Sequence, residues 1–202
     1  MLRFYYGTMA SGKTATLLMS AYQRRVNGEN VIILKPDENR DKDKVVSRIG
    51  LEDSCVVFEP TENLYDLITS IMREQSSNKL YTVKDVYVDE SQFLTEQQVK
   101  QLYDVTRDYN VRVNCFGLLI NFKNQLFEGS NALIRFAKST QLEPLTTCKY
   151  CNEDAITHLL VVDGEVVLDF PEKTEGDVEG DMHFECVCQR CWHRETEKVR
   201  EK

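Results

Sequence analysis

The chain has 202 residues, 42% of them hydrophobic, with a formal net charge of −8 and a pI of about 5.0. This length and composition allow one large domain with a small appendage and exclude a disordered chain, while the acidic balance argues against nucleic acid as a partner. No apolar run reaches the length of a membrane span and the first residues lack a signal-peptide pattern, so we expect a cytoplasmic protein that does not enter a membrane.

The first predicted elements enclose a phosphate-binding loop. Residues 2 to 6 are typical of a strand, and residues 14 to 22 have apolar side chains at helical spacing. From residue 7 the chain reads GTMASGKT, which matches G-x-x-x-x-G-K-[ST] at every fixed position. In this motif backbone N–H groups and a helix start surround phosphate oxygens, the lysine adds a full charge, and the threonine can hold Mg²⁺. The predicted phosphate-binding residues are Gly7, Thr8, Met9, Ala10, Ser11, Gly12, Lys13 and Thr14.

Strands and helices alternate as far as residue 117. Helices are predicted from Thr61 and Thr95, which are residue types that favour helix N-caps, and residues 37 to 50 are predicted as a charged surface loop. Four further apolar runs are typical of buried strands: residues 31 to 34, 55 to 58, 85 to 88 and 111 to 117. The alternation predicts an α/β fold with a mostly parallel sheet, helices on its faces and a ligand site at the carboxyl ends of the strands.

Two acids, Asp89 and Glu90, follow the third of these runs directly. Downstream of a phosphate loop, an aspartate at a strand end can hold Mg²⁺ directly or through water. The glutamate beside it can accept a proton from a substrate hydroxyl or from a water molecule. Acids at a strand end are common in any sheet, but with the loop upstream we predict a magnesium ligand and a catalytic base.

Cysteines become dense in the last third of the chain. Four of them form two C-x₂-C pairs whose thiolates suit tetrahedral Zn²⁺: Cys148, Cys151, Cys188 and Cys191. Asp163-Gly164, between two apolar runs, predicts a hairpin that would bring the two pairs together. Because four thiolates fill the coordination sphere of zinc, we predict a structural metal. Cys186 is an alternative ligand, although a lone thiol is its simpler role.

Several of these segments resemble the type II thymidine kinase family. Residues 89 to 93, DESQF, resemble its D-E-x-Q-F motif, and residues 7 to 14 are similar to its G-x-M-x-S-G-K-T loop. Residues 46 to 50 resemble the segment after its second strand, and residues 117 to 122 and 127 to 130 resemble Y-G-L-R-T-D-F and F-x-G-S. The zinc cysteines fit its C-x₂-C…C-x₂-[CH] site, and the whole chain looks closest to bacterial and phage members.

The character of the sequence changes near Leu142, which predicts a domain boundary near residue 143 and a small zinc-binding β domain at residues 144–202. For residues 1–143 the resemblance implies a RecA-like P-loop kinase domain. Such an enzyme transfers the γ-phosphate of ATP to the 5′-hydroxyl of thymidine, and of deoxyuridine too, to give dTMP in pyrimidine salvage. It also implies a homotetramer with feedback by dTTP. The apolar face of the helix after Thr61 is then either core or part of the subunit interface.

The resemblance further implies a role for individual residues. Glu90 would take the proton from the 5′-hydroxyl, Lys13 and the loop would hold ATP, and Thr14 with Asp89 would serve Mg²⁺. A loop at residues 171 to 183 would fold over the base like a lasso. The residues that would contact the nucleoside are Met9, Arg48, Phe93, Leu118, Phe122, Phe127 and Phe184.

The chain departs from the family pattern in the base pocket. Residues 119 to 121 replace R-T-D, and Phe184 stands where the family has tyrosine. The family threonine that helps hold the base falls at Thr157 or His158. Two other functions compete with a kinase: a RecA-type ATPase acting on nucleic acid, which would need basic patches, and a non-catalytic nucleotide sensor, which would need no catalytic glutamate.

Overall fold

The computed structural model describes residues 1–37, 43–76, 83–142, 146–170 and 181–201. Within these residues eleven strands and five α-helices succeed one another, with one turn of 3₁₀ helix at Ser91–Phe93. Their order is β1 (Leu2–Tyr6), α1 (Lys13–Val26), β2 (Asn30–Pro36), β3 (Lys44–Val46), β4 (Glu52–Ser54), β5 (Val56–Phe58), α2 (Leu64–Ser76), β6 (Val83–Val88), α3 (Glu96–Tyr109), β7 (Arg112–Gly117), α4 (Glu128–Phe136), β8 (Lys138–Gln141), β9 (Thr157–Val162), β10 (Glu165–Val167), β11 (Met182–Val187) and α5 (Gln189–Arg200).

Six strands form the central sheet in the order β5-β2-β6-β7-β1-β8, and every neighbouring pair is parallel. The predicted α/β fold with a mostly parallel sheet is therefore confirmed. Helix α1 covers one face through Leu17, Leu18 and Ala21, and α2, α3 and α4 cover the other. Burial on both faces explains the uninterrupted apolar residues at positions 31 to 34 of β2 and 86 to 88 of β6.

Side-chain caps set where two of the helices begin. Helix α3 starts after Thr95, whose side chain accepts the N–H of Gln98 in a capping box, as the sequence predicts. The prediction of a cap at Thr61 is wrong. Helix α2 starts later, because Asn63 Oδ1 accepts the backbone N–H groups of Tyr65 and Asp66.

The segment predicted as a charged surface loop contains strand β3, which pairs with β4 just beyond it in an antiparallel hairpin. Val45 on β3 is buried against the α1 side of the sheet, and Ser47 Oγ accepts the N–H of Leu51 across the turn. Arg48 lies in that turn. The sequence does not reveal β3 and β4 because they are short and stand among charged residues, with few apolar side chains of their own. Residues 38–42 of the predicted loop lie outside the described part of the chain.

The C-terminal segment is a small antiparallel sheet, β10-β9-β11, with α5 packed on it. Asp163 and Gly164 both have positive φ, +50° and +81°, and confirm the predicted two-residue hairpin. Helix α5, which carries Cys191, buries Trp192 and Thr196 on one face. The predicted domain boundary and most of the predicted lasso loop lie outside the described residues. None of the helices described is long and apolar enough to cross a membrane.

Candidate active site

The phosphate-binding loop joins β1 to α1 at the carboxyl edge of the sheet. Gly12 has φ +77°, a left-handed conformation that glycine adopts without strain. A Cβ at Gly7 would lie 2.5 Å from Ser11 Oγ, so the loop closes too tightly for a side chain there. Ser11 Oγ is buried without a hydrogen-bond partner among the described residues, which leaves a donor for a ligand oxygen. These features fit a phosphate cradle at a helix start.

Lys13 folds back over this loop. Its Nζ donates a hydrogen bond of 2.5 Å to the Thr8 carbonyl, and its side chain is buried. Burial lowers the pKa of Lys13, and the carboxylates of Glu90 and Asp89 oppose that shift. The cation is thus held between the loop and two acids, where phosphate oxygens can compete for it.

Asp89 lies at the end of β6, which is two strands from β1 in the sheet. Thr14 Oγ1 donates to Asp89 Oδ2 at 3.2 Å. Burial, reinforced by the Glu90 carboxylate, raises the pKa of Asp89 to about 7. A hydroxyl and a carboxylate in contact at a phosphate loop are the oxygen ligands that Mg²⁺ prefers, and a divalent cation there would favour the ionised aspartate.

Glu90 has a left-handed backbone, with φ +48° and ψ +39°. This conformation is costly for residues other than glycine and clusters at functional sites. It ends the strand and turns the Glu90 side chain into a cavity of about 260 Å³. The cavity is lined by Met9, Ala10, Gly12, Lys13, Thr14, Ala15, Ser47, Arg48, Ile49, Glu90 and Leu118.

A second cavity, of about 320 Å³, lies beside α1 and is lined by none of the predicted site residues. The negative charge of Asp85 in this cavity is already paired, because Asp85 accepts two hydrogen bonds from Arg112 and lies 3.3 Å from Arg24 Nε. The smaller cavity, where the loop, Glu90 and Arg48 meet, is therefore the better candidate for the active site.

The predicted aromatic residues form two pairs. The rings of Phe93 and Phe127 are 5.8 Å apart, and those of Phe122 and Phe184 are 6.4 Å apart. None of the four lines the 260 Å³ cavity itself. Trp192 Nε1 donates to the Phe122 carbonyl at 3.0 Å, so α5 supports the second pair directly.

The register of β9 and β11 decides which of two residues shares a face with Phe184. His158 lies opposite Cys186, and its ring meets the Phe184 ring edge-on at 5.8 Å. Since opposite residues share a face and consecutive ones alternate, Thr157 points the other way. His158 Nδ1 is buried without a partner among the described residues, and burial, with the charge of Lys13, lowers the pKa of His158 to about 4.

The four cysteines of the two C-x₂-C pairs converge. Their sulfur atoms all lie within 4.8 Å of one another, and Cys151 Sγ is 3.6 Å from Cys188 Sγ. Tetrahedral zinc with bonds of about 2.3 Å separates its sulfurs by about 3.8 Å, so the cluster fits that ion. The backbone N–H of Glu153 lowers the pKa of Cys151 to about 6, whereas desolvation raises that of Cys191 to about 12. A divalent cation would relieve this conflict by favouring all four thiolates.

Comparison with known proteins gives one consistent match. The family model for thymidine kinase matches residues 1–192. A thymidine kinase of Rhodopirellula baltica is 39% identical over 191 residues, which are 93% of this chain and 85% of that protein. Thymidine kinases of Haemophilus influenzae and Mannheimia succiniciproducens are 37% and 36% identical, and cover 93% and 98% of this chain and 93% and 97% of their own.

The chain belongs to the thymidine kinase family. The residues that the sequence predicts for the active site of a thymidine kinase are partly brought together: Met9, Lys13, Arg48, Glu90 and Leu118 line one cavity. The aromatic pairs lie near it rather than in its wall, and the Phe127 N–H donates to the Leu119 carbonyl. The segment at 171–180, predicted to cover the base of a thymidine kinase substrate, lies outside the described residues.

Three residues at this thymidine kinase site were not predicted. Gln92 donates to Glu90, Thr146 meets Thr8 through their hydroxyls at 2.9 Å, and the Cys186 thiol donates to the Met9 carbonyl at 3.4 Å. Gln92 stands inside the D-E-x-Q-F motif, so a signal for it was present. The other two come from the C-terminal part of the chain, and no sequence pattern links them to the loop.

Proposed function

We propose that this chain is an ATP-dependent thymidine kinase, which transfers the γ-phosphate of ATP to the 5′-hydroxyl of thymidine or deoxyuridine and so supplies dTMP for DNA synthesis. The observation that carries the proposal is the cavity in which Lys13, Arg48, Glu90 and Leu118 meet in a chain of this family. Phosphoryl transfer needs positioning and charge stabilisation above all, and these residues offer both.

The proposed division of labour follows the geometry. The loop N–H groups and Lys13 bind the phosphates of ATP, and Thr14 with Asp89 holds Mg²⁺, which would neutralise charge on the phosphate oxygens. Glu90 accepts the proton of the 5′-hydroxyl, because it is the carboxylate that projects into the cavity. Arg48, from the turn after β3, stabilises the transferring phosphate.

The nucleoside would lie between the cavity and the aromatic pairs. Met9 and Leu118 form its wall in the cavity, while Phe93 with Phe127 and Phe122 with Phe184 supply apolar surface beside it. Cys148, Cys151, Cys188 and Cys191 would hold a structural Zn²⁺ that keeps β11 against β9. We keep the two-domain division at residue 143 and a cytoplasmic location as predictions.

Subunit assembly and feedback are finer proposals. A homotetramer is supported by helix α1, where Met19, Tyr22 and Val26 expose apolar side chains on one side. Helix α2 is the less suitable interface, because Leu64 and Ile68 are fully buried in the core of the subunit. Feedback by dTTP would place a thymine and a triphosphate in the two halves of the same site. Light scattering of a Tyr22→Arg variant tests the interface on α1.

A nucleoside panel with Mg-ATP tests the activity. We expect ADP formation with thymidine and deoxyuridine and little with purine nucleosides. Glu90→Gln should lower kcat by about 10²- to 10⁴-fold, because it removes the base, whereas Glu59→Gln, at an exposed site, should not. Absence of nucleoside-dependent ADP formation would reject the kinase. ATP hydrolysis stimulated by DNA would instead support the RecA-type ATPase, which family membership and the net charge of −8 do not favour.

A further inference from the structure

Gln92 connects the proposed catalytic base to the wall of the nucleoside cavity. Its Nε2 donates a hydrogen bond of 2.6 Å to Glu90 Oε2, and its Oε1 accepts the backbone N–H of Leu118 at 3.0 Å. Glu90 and Leu118 both line the cavity, but Gln92 does not. In the described part of the chain, these two hydrogen bonds connect Gln92 to residues that line the cavity.

The partners leave one orientation for the Gln92 amide. If the amide were turned over, its oxygen would face a carboxylate oxygen and its NH₂ group would face an N–H donor. Both contacts would then be repulsive, whereas the observed orientation pairs each donor with an acceptor. The amide thus presents an N–H group to Glu90 in a direction that its other end determines.

The surroundings hold Gln92 in this place. Its side chain is 2% exposed, and a Cβ on Gly117 would lie 2.6 Å from Gln92 Oε1 and 3.0 Å from its backbone nitrogen. Only glycine at the end of β7 leaves room for the amide. A buried amide with both ends satisfied is costly to disturb, so it has few alternative positions.

The Glu90 carboxylate, in contrast, is subject to two electrostatic forces that can displace it from the substrate. It follows Asp89, whose carboxylate repels it, and the buried Lys13 cation attracts both acids. An ion pair with Lys13 would occupy the charge that ATP needs. The fixed N–H donor of Gln92 gives the Glu90 carboxylate a partner that competes with that attraction.

We propose that Gln92 is a positioning residue that holds the Glu90 carboxylate toward the nucleoside 5′-hydroxyl and ties it to the Leu118 wall. This inference rests on the proposed role of Glu90 as the base. It predicts that loss of the N–H donor lowers the rate of the chemical step while nucleoside binding is kept. A residue that served only the fold would instead lower both through the folded fraction of enzyme.

The test variant is Gln92→Glu, which keeps an oxygen for the Leu118 N–H and replaces the donor to Glu90 with an oxygen. Because the new carboxyl group must take up a proton or repel Glu90, the loss of the hydrogen bond sets the lower limit of the effect. We expect kcat to fall about 10- to 100-fold, the range for one hydrogen bond to a charged group, while the KM for thymidine changes less than about threefold. The control is Gln98→Glu. Gln98 is also 2% exposed and bonded at both ends, but it caps α3 away from the cavity. It should lower the unfolding temperature and leave kcat per folded enzyme unchanged.

A second background separates positioning from stability. In the Glu90→Gln background the amide introduced at position 90 can donate to the carboxylate that Gln92→Glu introduces at position 92, so a hydrogen bond is kept. Adding Gln92→Glu should therefore lower the remaining kcat less than about threefold. An equal fall of kcat in both backgrounds would overturn the inference, as would a KM that rises while kcat stays constant. If Glu90→Gln alone retains near-full turnover, it is the base assignment that fails. If Gln92→Glu does not fold, Gln92→Met is measured by the same kcat-against-KM comparison.

Discussion

The carboxyl edge of the central sheet and the C-terminal segment are stabilised in different ways. The sheet edge ends long parallel strands whose side chains, such as Phe4, Leu34 and Val88, are fully buried between two layers of helices. The C-terminal segment has a small apolar core in which Leu159 and Val187 pack around Trp192 and three buried cysteines. Hydrophobic burial alone can position the first region, whereas the second would depend on the zinc proposed at its cysteine cluster.

The two regions also divide the proposed work. Lys13, Asp89 and Glu90, which would carry the chemistry, stand on the sheet edge. Phe184 on β11 and His158 on β9 would lie toward the proposed nucleoside pocket. Among the described residues, three hydrogen bonds join the regions: from the Cys186 thiol to the Met9 carbonyl, from the Trp192 indole to the Phe122 carbonyl, and between the hydroxyls of Thr8 and Thr146. A substitution in one region should therefore change different measured properties from a substitution in the other.

The largest expected effect is loss of the metal from the C-terminal segment. Structural zinc sites contribute on the order of 10 kcal/mol to folding, so chelation or Cys191→Ser should unfold this segment. Trp192 is the single tryptophan and is buried, so its emission should shift to longer wavelength while the sheet keeps its circular dichroism. Cys186→Ser, which spares the cluster, should retain one zinc per chain. Normal emission after complete removal of zinc would refute the structural role.

The second effect is on chemistry alone. Lys13→Met removes the charge that faces the phosphates and should lower kcat/KM for ATP by about 10³-fold. Stability should not fall, because burial already disfavours the charged form of Lys13. Lys84→Met, on an exposed position of β6, is the matched control. A Lys13→Met enzyme with near-normal kcat/KM would show that the loop does not hold the transferring phosphate.

The features that can be predicted from the sequence also differ between these two regions. Short motifs can be located in the sequence when they follow an apolar run, as the phosphate-binding loop, Asp89 and Glu90 do. The cysteine pairs can be located by their fixed spacing. Strand β8 reads KSTQ, mostly exposed, and only pairing with β1 defines it. Helix α5 is hard to predict because most of its residues are charged or polar, and Trp192 is the one large apolar side chain on its buried face. The contact of Cys186 with Met9 joins residues 177 positions apart, which no local pattern encodes.

A third, smaller effect concerns acid stability of the C-terminal segment. His158 has a folded pKa of about 4 against an ordinary value of 6.5, so between these values the unfolded chain binds more protons and stability falls as the pH falls. At pH 5 the loss relative to neutral pH is about 2 kcal/mol. His158→Gln should remove this loss in urea unfolding at pH 7 and pH 5, and the exposed His193→Gln should not. An equal loss in wild type and His158→Gln would exclude His158 as its origin, since both retain the same cysteine cluster.

The smallest effect tests whether the C-terminal segment reaches the base at all. Phe184 is 40% exposed and its ring lies between those of Phe122 and His158, so a phenolic oxygen added by Phe184→Tyr can be solvated without a cost in stability. If that oxygen also meets the thymine, the KM for thymidine should fall about three- to tenfold with kcat unchanged, because one neutral hydrogen bond contributes to binding only. Phe136→Tyr, on α4, adds the same oxygen elsewhere and should alter neither constant. An unchanged KM in Phe184→Tyr would place Phe184 outside the base pocket and assign base recognition to the sheet edge, so that the C-terminal segment would serve only to buttress Met9 and Phe122.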